Sequence, residues 1–313
     1  MSSGYDVWFA DDAGEFLARA GAHLAQDPVT GTVVTTIAHR LRATGRGGLA
    51  HCWFAVVTGP EGAIAGIAMR TAPFAPYPVY LLSMPDGAVD ALAAAVLARG
   101  EDVGGATGLR PAADRFAAVV ATATGRGVVN GLHHRLFELG TLVAPRPVPG
   151  RLRPVRADEA ELALAWVKQF FLDADEQAGR AAGHDGEAAA FGIDDVRRKL
   201  AEEVLWFWED AEGRVVSMVG ANPPAYGVSR VGPVFTPKEE RGRGWAGAAV
   251  AEVSRLLRAR GDRVILFTDQ ANPTSNALYQ ALGYRPVVDT VRIDLVGQGH
   301  LEGQPGPSSH ARR

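Results

Sequence analysis

A turn rich in glycine and arginine separates an apolar strand pattern from a helix pattern of small residues in VGPVFTPKEERGRGWAGAAV. Glycine lets the backbone approach an anion without a Cβ in the way, and N–H groups at a helix start carry partial positive charge. Arg241 and Arg243 add positive charge nearby. The pattern predicts a phosphate cradle from Gly242 to Gly247, with a plain tight turn as the alternative interpretation.

Two other nucleotide-binding patterns do not fit this turn. A Walker motif requires Lys followed by Ser or Thr after its second glycine, whereas Trp245 and Ala246 follow Gly244. The dinucleotide pattern with three spaced glycines is also absent from the segment.

A second segment, VILFTDQANPTSNALYQALGYRPV, reads as a strand followed by a helix. Asn272 is a suitable N-cap, Pro273 fits the first helical position, and Gly283 ends the helix. Each of these three residues also has a purely structural use. Only their combination with the glycine turn is specific enough to indicate a function.

The two segments together resemble the GNAT superfamily of N-acetyltransferases over residues 151–295. Members of that family carry R/Q-x-x-G-x-G/A after the fourth strand, which corresponds here to Arg241, Gly244 and Ala246. After the fifth strand they carry an Asn followed seven residues later by a Tyr in an L-Y-x-x-L-G-F/Y setting, here Asn272 and Tyr279 in LYQALGY.

The resemblance implies that acetyl-CoA is the co-substrate. Its pantetheine arm would pair with free backbone groups of the first strand, and its pyrophosphate would lie in the cradle. A backbone N–H near Val234 would polarise the thioester carbonyl, and Pro233, which cannot donate a hydrogen bond, suits a bulge or splay there. The implied cofactor-binding residues are Val234, Phe235, Thr236, Arg241, Gly242, Arg243, Gly244, Trp245, Ala246, Gly247, Asn272 and Tyr279.

Tyr279 is also the catalytic residue that the resemblance implies. The family places this phenol beside the cofactor sulfur, where it would donate a proton to the leaving thiolate. The alternative is that Tyr279 packs against the sheet with its hydroxyl merely hydrogen-bonded.

The general base does not follow from the resemblance. Phe267 stands where some members carry a glutamate, five residues before the Asn. The candidates are Glu209 at the end of the WFW strand, an acidic loop, and a water relay. The acidic residues of that loop are Asp173, Asp175 and Glu176.

The elements that must position these residues repeat in both halves of the chain. Each half reads as helices, a strand meander, a strand–helix–strand–helix unit and closing strands, which suggests duplication. A proline-dense segment, APRPVPGRLRP, predicts a boundary between them. The expected domains are residues 1–147, degenerate and GNAT-like, and residues 151–296, catalytic, with a disordered tail at 297–313.

The expected fold class is α/β of the α+β type, with two GNAT-like domains that each contain a mixed, mostly antiparallel sheet flanked by helices. The first half should lack a cofactor site. Its matching turn reads Met84, Pro85, Asp86 and Gly87, in which the Asp86 carboxylate would repel a pyrophosphate. Its matching second site offers no Asn or Tyr, and Arg115 and Phe116 fall in that region instead.

Composition excludes several other classes of protein. With 47% apolar and 21% charged residues and no long apolar run, the 313-residue chain is not expected to span a membrane. A net charge of −3 gives no basic footprint for nucleic acid. The single cysteine, Cys52, is expected to fill the core, and histidines such as His133, His134 and His184 lack metal-site spacing. The N-terminus shows no secretory pattern, so a cytoplasmic protein is expected, with its oligomeric state left open.

These observations predict an N-acetyltransferase that transfers an acetyl group from acetyl-CoA directly to a primary amine of a small molecule. One alternative is a more defined role, like that of the tandem-GNAT acetyltransferase that completes mycothiol, since the length and two-domain plan are similar. The other is a non-catalytic acyl-CoA-binding or regulatory module, for which the missing base argues and the intact Tyr279 argues against.

Overall fold

The computed structural model describes residues 4–45, 51–72, 74, 77–177 and 191–297. The chain forms two compact units. Unit 1 takes its described residues from the ranges 1–26, 37–133 and 289–313, and unit 2 comprises Asp27–Thr36 and His134–Val288. The predicted disordered tail, apart from Gly297, and His184 lie outside the described residues.

Unit 1 contains a sheet in which the strands follow the order β1-β2-β3-β4-β5-β12. Neighbouring strands are antiparallel except β4 and β5, which are parallel. Its elements are β1 (Asp6–Ala10), α1 (Ala13–Leu24), α2 (Thr32–Thr44, which begins in unit 2), β2 (Trp53–Thr58), β3 (Ile64–Arg70), β4 (Val79–Leu81), α3 (Asp86–Ala98), β5 (Gly105–Leu109), α4 (Ala112–Thr124) and the first part of β6 (Gly127–Leu139).

Unit 2 repeats this plan with the strand order β7-β8-β9-β10-β11-β6, in which β10 and β11 form the parallel pair. Its elements are β7 (Arg151–Pro154), α5 (Ala160–Gln177), α6 (Ile193–Ala201), β8 (Leu205–Glu209), β9 (Val215–Ala221), β10 (Val228–Phe235), α7 (Trp245–Ala259), β11 (Arg263–Asp269), α8 (Pro273–Ala281) and the first part of β12 (Tyr284–Val296). The predicted fold class is confirmed.

The helix that follows the glycine turn illustrates why the sequence folds in this way. In α7, Val250, Val253 and Leu257 recur at helical spacing and are all buried at 1% exposure or less. Gly261, with φ of 91°, follows the helix in a conformation that other residues rarely adopt. The buried face packs against β9, β10 and β11, and so fixes where the start of α7 lies.

The compact units differ from the predicted sequence halves in their last strand. Residues His134–Glu138 of β6 pair with β11 in unit 2, whereas residues Thr290–Asp294 of β12 pair with β5 in unit 1. Each half of the sequence therefore supplies the closing strand of the other unit. An unpaired strand edge leaves N–H and C=O groups without partners, and this exchange satisfies them.

Two further details of the sequence reading need correction. Strand β1 was missed because its five residues, DVWFA, lie directly before a strong helix pattern. The closing segment, read as several strands, is one strand of 13 residues. Within the described residues, no helix has the length and apolar character needed to cross a membrane.

Candidate active site

Strands β10 and β11 separate halfway along their length. Their parallel pairing runs from Val228 opposite Arg263 to Val231 opposite Leu266, while both strands continue beyond that point. The register of β10 on β9 shifts between Val231 and Val234, where Gly232 and Pro233 intervene. Within residues 191–297, the backbone of Val234 onward therefore has no strand partner on the β11 side, which is the open edge that a pantetheine arm would need.

The end of β10 is held from the other side by a residue that the sequence analysis missed. Ser217 of β9 is fully buried and donates a hydrogen bond to the Phe235 carbonyl at 3.1 Å. Its hydroxyl also lies 2.9 Å from the Thr236 hydroxyl. These bonds keep the strand edge in place although β11 has diverged.

The glycine turn places an uncapped helix start directly after this strand. Gly242 and Gly244 have φ of 77° and 89°, values that favour glycine, and α7 begins at Trp245. No side chain caps the N-terminus of α7 among the described residues. The N–H groups of its first turn are therefore available to an anion, as the predicted cradle requires.

The two arginines of the turn are engaged with carboxylates. Arg241 donates from Nη2 to Asp173 of α5 and from Nε to the Thr236 carbonyl at 3.0 Å. Arg243 lies 3.1 Å from the Glu240 carboxylate. Part of the positive charge expected beside the cradle is thus compensated, and Arg241 organises the loop between β10 and α7.

Asn272 caps α8, as the sequence predicts. Its Oδ1 accepts a hydrogen bond from the Ser275 N–H at 3.0 Å, and its Nδ2 donates to Gln177 of α5 at 2.5 Å. Asn276 supports the same turn by donating to the Asp269 carbonyl at 2.9 Å. Each polar atom of the Asn272 side chain makes one of these bonds, and the second Nδ2 hydrogen and the second acceptor site of Oδ1 remain for a contact with the cofactor.

The last turn of α5 brings the two motifs together. Asp173, which binds Arg241, and Gln177, which binds Asn272, are four residues apart and lie on the same helix face. Helices α7 and α8 also lie close together, since a Cβ added to Gly247 of α7 would lie 3.2 Å from Leu278 of α8. The i, i+4 spacing of Asp173 and Gln177 was visible in the sequence, but their partners were not.

Tyr279 is 7% exposed and lies in the core of unit 2 beside Tyr284, with the rings edge to face at 6.0 Å. Burial raises the pKa of the Tyr279 phenol well above its usual range. Within the described residues no hydrogen-bond partner is assigned to its hydroxyl, whereas the Tyr284 hydroxyl lies 2.7 Å from that of Ser254. Tyr279 is therefore a neutral phenol at neutral pH, the protonation state that a proton donor needs, and its raised pKa makes it a weaker acid than a tyrosine in water.

The candidate bases are mostly held in ion pairs. Arg151 and Arg153 hold the pKa of Glu209 below its usual value, since both donate hydrogen bonds to its carboxylate. Asp173 is bound by Arg241, and Glu176 lies 2.5 Å from the Lys238 ammonium. Asp175, the remaining candidate, is buried at 5% exposure. These contacts do not select one general base among the carboxylates and the water relay.

In unit 1, the described residues 77–124 show no comparable opening. Strands β4 and β5 pair up to Leu81 opposite Gly108, and Leu81 is the last residue of β4. Asp86 at the start of α3 lies 3.1 Å from Arg115. The Tyr5 ring lies 2.7 Å from where a Cβ would stand on Gly87, close to the start of α3.

Comparison with known proteins supports the resemblance seen in the sequence. Residues 211–293 match the family model described as FR47-like protein. The chain is 30% identical over 157 residues to a mycothiol acetyltransferase of Beutenbergia cavernae, across 48% of this chain and 50% of that protein. It therefore spans about half the length of the curated relative that it matches.

Solved structures share the fold over nearly the whole chain. A GCN5-related N-acetyltransferase from Sphaerobacter thermophilus has a TM-score of 0.60 at 16% identity, covering 98% of each chain. A tandem GNAT protein from the clavulanic acid biosynthesis pathway has a TM-score of 0.50 at 16% identity, covering 96% of this chain and all of that one. The predicted resemblance to the GNAT superfamily is confirmed by the family-model match and by the shared fold.

Proposed function

We propose that this GNAT-like chain transfers an acetyl group from acetyl-CoA directly to a primary amine of a small molecule, and that unit 2 carries the reaction. The observation that supports this most strongly is the divergence of β10 and β11 after Val231, directly before the uncapped start of α7. An open strand edge and a phosphate cradle in that order fit an extended thioester cofactor that ends in a pyrophosphate.

In the proposed reaction, the lone pair of the neutral amine attacks the thioester carbonyl carbon. The N–H near Val234 would stabilise the negative oxygen of the tetrahedral intermediate. The C–S bond then breaks as the C–N bond is kept, and Tyr279 would protonate the departing thiolate. The proton lost by the amine would pass to a water relay or to one of the candidate carboxylates.

The role of Tyr279 rests on its position in the sequence motif and on its chemical state. Its phenol is buried and protonated, and no hydrogen bond to a described residue is assigned to it. Burial disfavours a charged thiolate as well as a charged phenolate, so a thiolate that forms beside Tyr279 would also bind a proton more strongly than it does in water. The residue regains its proton from solvent after CoA leaves.

A screen of primary amines with acetyl-CoA tests the proposal, with thiol release and the mass of the acetylated amine as readouts. We expect amine-dependent release of CoA together with a product 42 Da heavier than the amine, a mass increase of about one acetyl group in place of hydrogen. Tight CoA binding without release for any amine would instead support a non-catalytic acyl-CoA-binding module.

A second, more specific candidate is mycothiol acetyltransferase activity. The observation that favours it is the 30% identity over 157 residues to a protein of that name. The test is incubation with acetyl-CoA and the precursor of mycothiol that lacks the acetyl group. Turnover of simple amines at least as efficient as that of this precursor would argue against the assignment.

A further inference from the structure

The connector, residues 140–150 between β6 and β7, is fixed at both ends within unit 2. At its start, the Gly140 N–H donates to the Gly283 carbonyl and the Val143 N–H donates to the Leu282 carbonyl, each at 3.0 Å. At its end, the Trp208 indole N–H donates to the Pro149 carbonyl at 3.2 Å. The connector is thus an ordered part of unit 2.

The middle of the connector lies against the glycines of the cradle. A Cβ added to Gly244 would lie 3.0 Å from Cγ1 of Val148, and one added to Gly247 would lie 3.9 Å from Cβ of Pro145. Arg146 stands between these two contacts in the chain. Its backbone is therefore beside the start of α7, within reach of an anion bound there.

Arg146 differs from the arginines of the turn in having a free charge. Arg241 and Arg243 are each bound to a carboxylate. The side chain of Arg146 is exposed, and no hydrogen bond or ion pair to it is found among the described residues. Pro145 and Pro147 flank it and restrict the backbone on both sides, which limits where the base of the side chain can lie.

We propose that Arg146 binds a phosphate group of the CoA moiety, so that the connector forms part of the cofactor site. An unpaired guanidinium gains more from a phosphate than one already bound to a carboxylate, and its planar donors fit phosphate oxygens. This inference rests on the proposed function, because it requires the cofactor to lie in the cradle.

Calorimetric titration of the full chain with CoA tests this role. Arg146→Gln should weaken CoA binding about tenfold, the effect of losing one charge-assisted hydrogen bond at an exposed site. Arg146→Lys should lose less, since it keeps the charge. The matched control is Arg260→Gln, because Arg260 is an exposed arginine at the opposite end of α7 and should bind CoA as the unchanged protein does.

A parallel titration with dephospho-CoA, which lacks only the 3′-phosphate, identifies the group that Arg146 binds. A loss confined to CoA assigns the 3′-phosphate, and an equal loss for both ligands assigns the pyrophosphate. If Arg146→Gln binds both ligands as tightly as Arg260→Gln does, the inference is wrong while the proposed function stands. If the unchanged protein binds neither ligand, the proposed function fails and the inference fails with it.

Discussion

At the scale of single residues, the site combines groups whose types were legible in the sequence with states set by their surroundings. Tyr279 is a phenol whose pKa burial raises still further above neutral pH, and Gly244 has a backbone conformation that side chains rarely adopt. Arg241 was expected to face a phosphate, but its guanidinium is bound to Asp173.

Tyr279→Phe should lower turnover on the order of a hundredfold while acetyl-CoA affinity is nearly kept, because the ring still packs and only the proton donor is lost. Steady-state kinetics and calorimetry measure the two quantities. Tyr284→Phe is the matched control, since that hydroxyl bonds with Ser254 and its loss should reduce thermal stability rather than turnover. Unchanged turnover in Tyr279→Phe would mean that water protonates the thiolate.

Gly244→Asp should abolish acetyl-CoA binding, because a carboxylate would face the pyrophosphate at close range. Gly244→Asn is the matched control, since it has the same shape, tolerates positive φ and carries no charge. Both variants press on Val148, 3.0 Å from the added Cβ, so their common loss measures the steric effect. Equal affinities for the Asp and Asn variants would contradict an anion at this position.

At the scale of elements, α5 and α6 hold the cradle and the sheet in place through buried polar contacts. Asp173 on α5 has a side chain 5% exposed and binds Arg241. Lys199 on α6 is 4% exposed, donates to the Ala221 carbonyl at 2.5 Å and lies 3.2 Å from Oδ1 of Asn222. Each contact joins a helix to a distant loop or strand, and each gives a prediction on stability.

Arg241→Ala should destabilise the protein by roughly 1–2 kcal/mol, because it leaves a buried carboxylate without its main partner. The added substitution Asp173→Asn should restore much of this loss, since the neutral amide costs less to bury. Urea unfolding of the two single variants and the double variant gives the coupling. Strictly additive losses would show that the pair does not act as a unit.

Stability should also depend on pH through Lys199. Burial is the main cause that lowers the pKa of Lys199 to about 7, and the charges of Arg198 and Arg230 lower it further. The carboxylates of Glu202 and Asp195 raise this pKa, but by less. The unfolded chain then binds more protons than the folded one between about pH 7 and 10.5, so this group favours folding increasingly as pH rises through that window.

The measurement is the difference in unfolding free energy between the unchanged protein and Lys199→Met from pH 6.5 to 9.5. We expect the unfolding free energy of the unchanged protein to increase relative to that of Lys199→Met as pH rises. Lys168→Met, on a lysine outside the core, is the control and should show no such trend. A flat difference would mean that Lys199 keeps its usual pKa.

At the scale of the whole molecule, two units with one strand plan differ in whether the parallel pair opens. In unit 2, β10 and β11 diverge before their ends, whereas in unit 1, β4 and β5 stay paired to the end of β4. In unit 1 the helix that follows begins with the Asp86 carboxylate, which is paired with Arg115. These features favour the proposal that the cofactor site lies in unit 2 and that unit 1 has none.

Each chain should therefore bind one acetyl-CoA, and calorimetric titration should give a stoichiometry near one. The intact chain is required, because a fragment ending at residue 147 would lack the strand that pairs with β5 in unit 1. Gly244→Asp should remove all saturable binding, whereas Asp86→Asn should leave the stoichiometry unchanged. A stoichiometry near two would show that unit 1 retains a cofactor site.

The sequence by itself determined the features that depend on neighbours within one turn or one strand. The glycine conformations at 242 and 244, the Asn272 cap, and the helix and strand periods are local, because the groups that fix them lie within about four residues of one another. These local features sufficed for the fold class and for the cofactor motifs. They did not reveal β1, which a stronger neighbouring helix pattern obscured.

Only the tertiary structure decided the contacts between residues far apart in the chain. Asp173 was a candidate base in the sequence, but it binds Arg241 across 68 positions, and Gln177 binds Asn272 across 95. The exchange of β6 and β12 between the units was equally hidden, because a strand's residue pattern records which face is buried but not which edge it will pair with. Edge pairing is settled by which backbone groups remain unsatisfied once the other strands have assembled.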